Sequence, residues 1–157
     1  DISGGSFDNT ILEVVSKYNA GYIAMHITGN QMTMHQIEER TDVIAAIIDD
    51  MEKKKDLLAS FGIHNWVIDP GFGFGKTTQE NFDIVKRLQE LKVVNLPILL
   101  GVSRKSSIYK TLGIGPEDAL NGTTVLHTLG LLNGASILRV HDVKEAKQII
   151  QLLPYLQ

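Results

Sequence analysis

Apolar and polar positions follow two rhythms along this chain. Four short runs, Tyr22-Ile23-Ala24, Trp66-Val67-Ile68, Ile98-Leu99-Leu100 and Ser136-Ile137-Leu138, each give way to Met25-His26, Asp69, Ser103-Arg104-Lys105-Ser106 and Arg139-Val140-His141 respectively. Apolar runs of that length between turn residues predict strands over 22–27, 65–69, 97–102 and 135–140. The intervening segments carry the helical period. Ile11, Leu12, Val14 and Val15 predict a short helix, and Ile37, Ile44, Ile47, Ile48, Met51, Leu57 and Leu58 predict a long one over 36–60. Lys53, Lys54 and Lys55 fall on its solvated side, and Gly62 marks its end. A further helix starts near Thr77, with Glu80 three residues later in capping-box spacing and Ile84, Leu88 and Leu91 as its buried stripe. Pro116 sits where another begins, followed by Leu126, Leu129 and Leu132, and a last helix covers 143–153.

Strands alternating with helices in this way read as parallel βα units. Equivalent strand ends, His26, Asp69, Arg104 and Arg139, lie 43, 35 and 35 residues apart. A (β/α)8 barrel of about 250 residues averages roughly 31 per unit, so the spacing fits that architecture with one lengthened helix. A doubly wound sheet is the alternative. The barrel is favoured because every strand carries functional residues at its carboxyl end, whereas an open sheet concentrates them near one switch point. Only four complete strands are present, and Asp1-Ile2-Ser3-Gly4-Gly5 resembles the tail of a fifth. The expected fold is α/β, a single domain over 1–157 forming the C-terminal half of a barrel, from the end of strand 4 through helix 8.

Composition narrows the function. A net charge of −3 over 157 residues argues against a nucleic-acid or anionic-membrane surface, so the clustered Arg and Lys read as local tools. No apolar stretch approaches the roughly 18 residues of a membrane helix, and the first residues lack signal-peptide character. The absence of cysteine excludes disulfides and thiolate chemistry and fits a cytoplasmic address.

Residues 69–76, Asp-Pro-Gly-Phe-Gly-Phe-Gly-Lys, imitate a phosphate loop, but Pro70 stands where its first glycine is required, and the dinucleotide spacing also fails. Glycines here permit a tight turn, with Phe72 as packing and Phe74 as pocket wall. Asp69 has two readings. It either initiates the turn by accepting from the amides behind it, or it accepts two N–H donors from the guanidine-like edge of a heterocycle. Arg104 and Lys105 point to opposite sides, so one of them enters the site. Arg139 and His141, two residues apart, share a strand face and suggest an anion site, with Asp142 on the other face. His26 reads as a satisfied core histidine, while His35, His64 and His127 look like loop or helix residues with no metal spacing. Ser103 lacks the nucleophile-elbow pattern and no His–Asp pair is evidently arranged around it.

Three ordered motifs, Asp69 to Lys76, Gly101-Val102-Ser103-Arg104-Lys105-Ser106 and Arg139-Val140-His141-Asp142-Val143, together resemble the bacterial dihydropteroate synthases, the folate-pathway family inhibited by sulfonamides. Asp1 to Gly5 and Met25-His26 also align with it. The resemblance implies a transferase that condenses 6-hydroxymethyl-7,8-dihydropterin pyrophosphate with 4-aminobenzoate, giving 7,8-dihydropteroate and pyrophosphate. It implies that Asp69 holds the amino and ring N–H edge of the pterin, Lys105 its carbonyl or ring nitrogen, and that Met25 and Gly101 line the slot. Arg139 would cover the ring and, with His141, bind pyrophosphate, while Phe74, Lys105 and Ser106 border the aminobenzoate site. Asp69, Lys105, Arg139 and His141 would then carry the catalysis.

The chain departs from the family in its front half. The family's magnesium-ligand Asn, the loops that close over aminobenzoate, the Asp of its third strand and the pterin-binding Asn preceding the match to Asp1 have no counterpart here. The expectation is therefore part of a longer protein, inactive alone, with Mg2+ bound from the missing half and no metal ligand in these residues. A homodimer follows from the family. Two rivals stand beside this reading. A pterin-dependent methyltransferase domain needs no pyrophosphate clamp, against which Arg139, His141 and the Ser-Arg-Lys-Ser run argue, and a non-catalytic pterin-binding paralogue is not excluded by sequence.

Overall fold

The computed structural model of the chain describes residues 1–8, 10–28, 32–33, 36–37 and 40–156. In chain order the elements are α1 (Ile11–Lys17), β1 (Tyr22–Met25), α2 (Val43–Ser60), β2 (Trp66–Asp69), α3 (Thr78–Lys86), β3 (Leu99–Leu100), α4 (Ser106–Leu112), α5 (Leu120–Leu132), β4 (Ile137–Leu138) and α6 (Val143–Leu152). Three 3-10 segments, Leu88–Val94, Pro116–Asp118 and Leu153–Tyr155, accompany them. Every strand pairing among the described residues is parallel. β1 pairs with β2 from Tyr22↔Trp66 to Met25↔Asp69, β3 pairs with β4 through Leu99↔Ile137 and Leu100↔Leu138, and a bridge between Ile68 and Ile98 joins the two pairs. Parallel order β1-β2-β3-β4 with helical crossovers delivers all four carboxyl ends to one edge.

Helix boundaries follow local chemistry. Thr77 caps α3 as its spacing predicts: its hydroxyl accepts from Glu80 N at 3.1 Å while Glu80 Oε2 accepts from Thr77 N at 2.6 Å. The stripe of Ile84, Leu88 and Leu91 is fully buried, although its second half lies on the 3-10 segment. α2 begins at Val43 instead of 36. Asp42 is extended and its Oδ1 accepts from Ile44 N at 2.8 Å and Ala45 N at 3.3 Å, which satisfies two of the donors a helix start leaves free. Arg87 holds the same carboxylate at 3.0 Å, and Ile37 lies outside the helix, 62 % exposed. The apolar period runs past a stop that only the cap reveals.

Two further expectations are corrected, and one helix was not expected at all. Lys54 is not on a solvated face: its side chain is 11 % exposed against 73 % for Lys53, because it pairs with Asp50 and lies against Gly4. α4 occupies a stretch whose mixed Ser-Ser-Ile-Tyr-Lys-Thr-Leu sequence gives little periodic signal. Asp1 to Gly5 form turns, held by the Asp1 carboxylate, which accepts from Ser3 N, Gly5 N and the Tyr22 hydroxyl at 2.8, 2.8 and 2.7 Å; the Asp1 nitrogen reaches the β1 backbone at Ile23 O. His35 lies outside the described residues.

The core lies between sheet and helices, with Ile44, Ile47, Met51, Ile68, Phe72, Ile84, Leu88 and Leu100 essentially sealed from solvent. Among the described residues no helix is long and apolar enough to cross a membrane.

Candidate active site

The carboxyl edge gathers one residue set from each strand. Asp69 ends β2, 7 % exposed, and Met25 sits opposite it in register at the end of β1. The turn-initiating reading of Asp69 is realised in its geometry. Its Oδ1 accepts from Gly71 N at 2.8 Å, the turn-initiating bond, and Lys105, Arg139 and Lys76 act on it electrostatically. Burial pushes its carboxyl above the ordinary carboxylate range, against the pull of the Gly71 amide and those three cations.

The loop after β2 folds inward through its carbonyls. Gly71, Gly73 and Gly75 all have positive φ, and a Cβ on Gly71 would overlap the His26 carbonyl oxygen. Lys76 Nζ donates to Gly71 O at 2.9 Å and Phe74 O at 3.1 Å. Lys105 Nζ donates to Phe72 O, and Arg40 donates to Gly75 O from both terminal nitrogens at 3.0 Å. Asn81 Oδ1 accepts from Gly73 N at 2.6 Å. A phosphate loop points N–H groups at an anion, whereas here four carbonyls face cations, which is the physical form of the failed motif match. Phe72 is fully buried, and partly buried Phe74 packs against the pair Met25 and Ile27.

Ser103, Arg104, Lys105 and Ser106 divide between the two sides of β3. Lys105 enters, its ammonium 4.6 Å from the Phe74 ring centroid and 5.8 Å from that of Phe72. Burial lowers its pKa to about 8, with Asp69 opposing that shift and Arg139 adding to it. Arg104 turns away in a left-handed backbone conformation: Nε and Nη2 donate to the two Asp142 oxygens at 2.8 and 2.9 Å, and Nη1 donates to Pro116 O and Glu117 O. Ser103 is buried and contacts His141, whose backbone N–H reaches Ser103 Oγ at 3.2 Å and whose Nδ1 lies 2.9 Å from it. A His therefore lies against Ser103, without an Asp beside it to complete a His–Asp pair. The neighbouring carboxylate, Asp142, is taken up by Arg104 and does not orient the imidazole as the acid of a triad would.

Arg139 leans over Gly101, where a Cβ would stand 3.0 Å from Nε and 3.1 Å from Nη2. Arg139 thus contacts Gly101 and His141 contacts Ser103, two residues further along the same connection. A cavity of about 370 Å3 is lined by Gly73, Lys76, Asn81, Ser106 and Lys110. A larger one, about 590 Å3, lies among Glu117, Asn121, Glu145 and Ile149 on the helical side, away from all strand ends. The smaller lies on the carboxyl side of the strands, and Lys76 in its lining has a lowered pKa, whereas Asp69, Lys105 and Arg139 do not line it.

Sequence reasoning missed Lys76, Arg40 and Asn81 as parts of this site. Lys76 is 7 % exposed, and burial with Arg40 nearby lowers its ammonium to about 7. A lysine directly after three alternating glycines was its only signal. His26 is buried as expected but not satisfied, for its Nδ1 has no partner among the described residues. His64 is an exposed loop residue and His127 a buried one in α5. Among the described residues no group of three or more His, Asp or Glu is placed to hold a metal ion.

The model of the family described as pterin binding enzyme matches residues 1–141. The chain is 37 % identical over 155 residues to a dihydropteroate synthase of Synechocystis sp., covering 97 % of itself and 54 % of that protein. It is 34 % identical over 146 residues to that of Escherichia coli K12, covering 90 % and 51 %. Among solved structures, a dihydropteroate synthase of Clostridium difficile crystallised in the presence of pteroic acid superposes with TM-score 0.91 at 34 % identity, over 99 % of this chain and 58 % of that one. A Yersinia pestis dihydropteroate synthase in a sulfonamide complex gives 0.88 at 30 % identity, over 92 % and 54 %. The chain spans about half the length of the curated relatives it matches. A match over residues 1–141, at this identity and with this superposition, means that the chain belongs to the pterin binding enzyme family.

Proposed function

We propose that the chain is the C-terminal half of a (β/α)8 barrel, a single partial domain over 1–157, in a polypeptide that acts as a dihydropteroate synthase. Two apolar strand residues, Ile23 and Ile137, are 39 % and 40 % exposed, faces that the remaining strands of a barrel would cover. The observation that carries the reading is the meeting of Asp69, Lys105 and Arg139 at one strand edge.

In that reading Asp69 accepts the amino and ring N–H groups of the pterin, and Lys105 leaves Phe72 O for the ring carbonyl or nitrogen. Met25 and Gly101 wall the slot. Arg139 covers the ring and joins His141 on the pyrophosphate, while Phe74, Lys105 and Ser106 border 4-aminobenzoate. The amine nitrogen attacks the exocyclic methylene, the carbon–oxygen bond to pyrophosphate breaks, and the amine gives up a proton. Cations on the departing anion and alignment of the amine supply the acceleration, without a covalent enzyme intermediate. A magnesium ion held from outside this chain, homodimeric assembly and a cytoplasmic address belong to the same proposal.

The test is pyrophosphate release by the full-length polypeptide given the pterin pyrophosphate with and without 4-aminobenzoate. Release that requires 4-aminobenzoate and yields dihydropteroate supports the reading; pterin binding without turnover overturns it.

A further inference from the structure

We propose that Lys76 is a positioning residue for the second substrate, its buried ammonium clamping the Gly71 and Phe74 carbonyls so that the Phe74 ring is held against Lys105. The inference rests on the synthase reading above and adds a residue to which that reading gives no role.

A lysine beside a helix start normally runs its stem along the surface and leaves its head in water. Thr78 and Gln79, two and three residues on, are exposed, so solvent is close. Lys76 nevertheless turns inward. Its two bonds span one turn: Gly71 O also accepts from Phe74 N at 3.1 Å, so Lys76 grips the carbonyl of the first residue of that turn and the carbonyl of the last. Desolvating an ammonium is costly, and two neutral carbonyls compensate only part of that cost. What the bonds secure is the backbone of Phe74, whose side chain packs against the pair Met25 and Ile27 and whose ring centroid lies 4.6 Å from Lys105 Nζ. Other ties fix the neighbours of Phe74 independently, Gly73 through Asn81 and Gly75 through Arg40. Asp69 keeps its own bond to Gly71 N. Lys76 reaches Asp69 only through its charge, behind Lys105 and Arg139, so its direct bonds act on the aromatic wall of the aminobenzoate pocket more than on the pterin end.

A double-mutant cycle in the full-length enzyme tests this. Lys76→Met, Phe74→Leu and the pair are compared in steady-state kinetics with aminobenzoate as the varied substrate, and in affinity for the pterin pyrophosphate. Lys76→Met is expected to raise the aminobenzoate KM about tenfold with pterin affinity kept, and the double variant is expected to be no worse than Phe74→Leu alone. Effects that multiply in the double variant, or a lowered melting temperature with both substrate constants unchanged, overturn the proposal. If Lys76→Met does not fold, Lys76→Gln, which retains two donors, takes its place in the cycle, and failure of both to fold also counts against a role separable from the fold. An unsubstituted enzyme that makes no dihydropteroate refutes the synthase reading instead, and pterin affinity in the same samples tells the two failures apart.

Discussion

Lys105 donates to the carbonyl oxygen of Phe72 while its ammonium rides over the Phe74 ring, so one cation is held by the loop it faces across the mouth of the site. Its ammonium, lowered to about 8 by burial, is charged at neutral pH and loses its proton just above it. If it contacts the pterin as proposed, kcat/KM should fall as pH rises through about 8. Lys105→Gln should lower activity and erase that basic limb. A limb unchanged in the variant would assign the titration to another group.

In the proposed site Asp69 would set the opposite limb. A carboxyl whose pKa is raised by burial becomes protonated at a higher pH than an ordinary carboxylate, and a protonated acid no longer accepts two N–H donors. Pterin affinity is expected to fall on acidification, beginning above the usual carboxylate range. Asp69→Ala should weaken binding by roughly 2–5 kcal/mol, the cost of truncating a buried charged hydrogen-bond partner. Calorimetric titration with the pterin pyrophosphate measures both, and retained affinity would refute the role.

Gly101 leaves room for Arg139. A methyl at 101 would meet the guanidinium in tight contact, 3.0 Å from Nε, so Gly101→Ala should displace that side chain and leave the buried strand intact. The expected result is weaker binding of inorganic pyrophosphate with an unaltered urea midpoint. A shifted midpoint with normal pyrophosphate binding would make Gly101 a packing residue.

His26 makes the fold sensitive to acid. Burial first, then Lys76, Lys54 and Arg40, hold its pKa down to about 2, whereas the unfolded chain takes up the proton near 6.5. Because the unfolded state binds the extra proton, stability is full above about pH 6.5 and falls toward pH 2. The slope approaches about 1.4 kcal/mol per pH unit for this one group. Replacing the ring, as in His26→Phe, should flatten that part of the profile in urea unfolding followed from pH 7 to 4, and an unchanged slope would show that other groups govern it.

The lengths and order of the elements were legible wherever one interaction dominated. Thr77 and Glu80 cap a helix by themselves, and the apolar runs ending at Met25, Asp69 and Leu100 pair as strands because pairing buries them. The start of α2 was not legible, since Ile37 keeps the helical period while Asp42, held by Arg87 from 45 residues away, caps the N-terminus and sets where the helix begins. α4 was missed because seven mixed residues carry too little periodicity, and its placement depends on the turn that Arg104 makes before it.

Sequence by itself determined the residue types at the four strand ends, because strand period and turn chemistry are local. Which cations face the site was decided only in three dimensions. Arg104 is withdrawn by a carboxylate 38 residues away and Lys105 is admitted by a carbonyl 33 residues back. Lys76 and Arg40 became part of the loop for the same reason: a charge moves to whichever partner offsets its desolvation, and those partners are set by packing between elements distant in the chain.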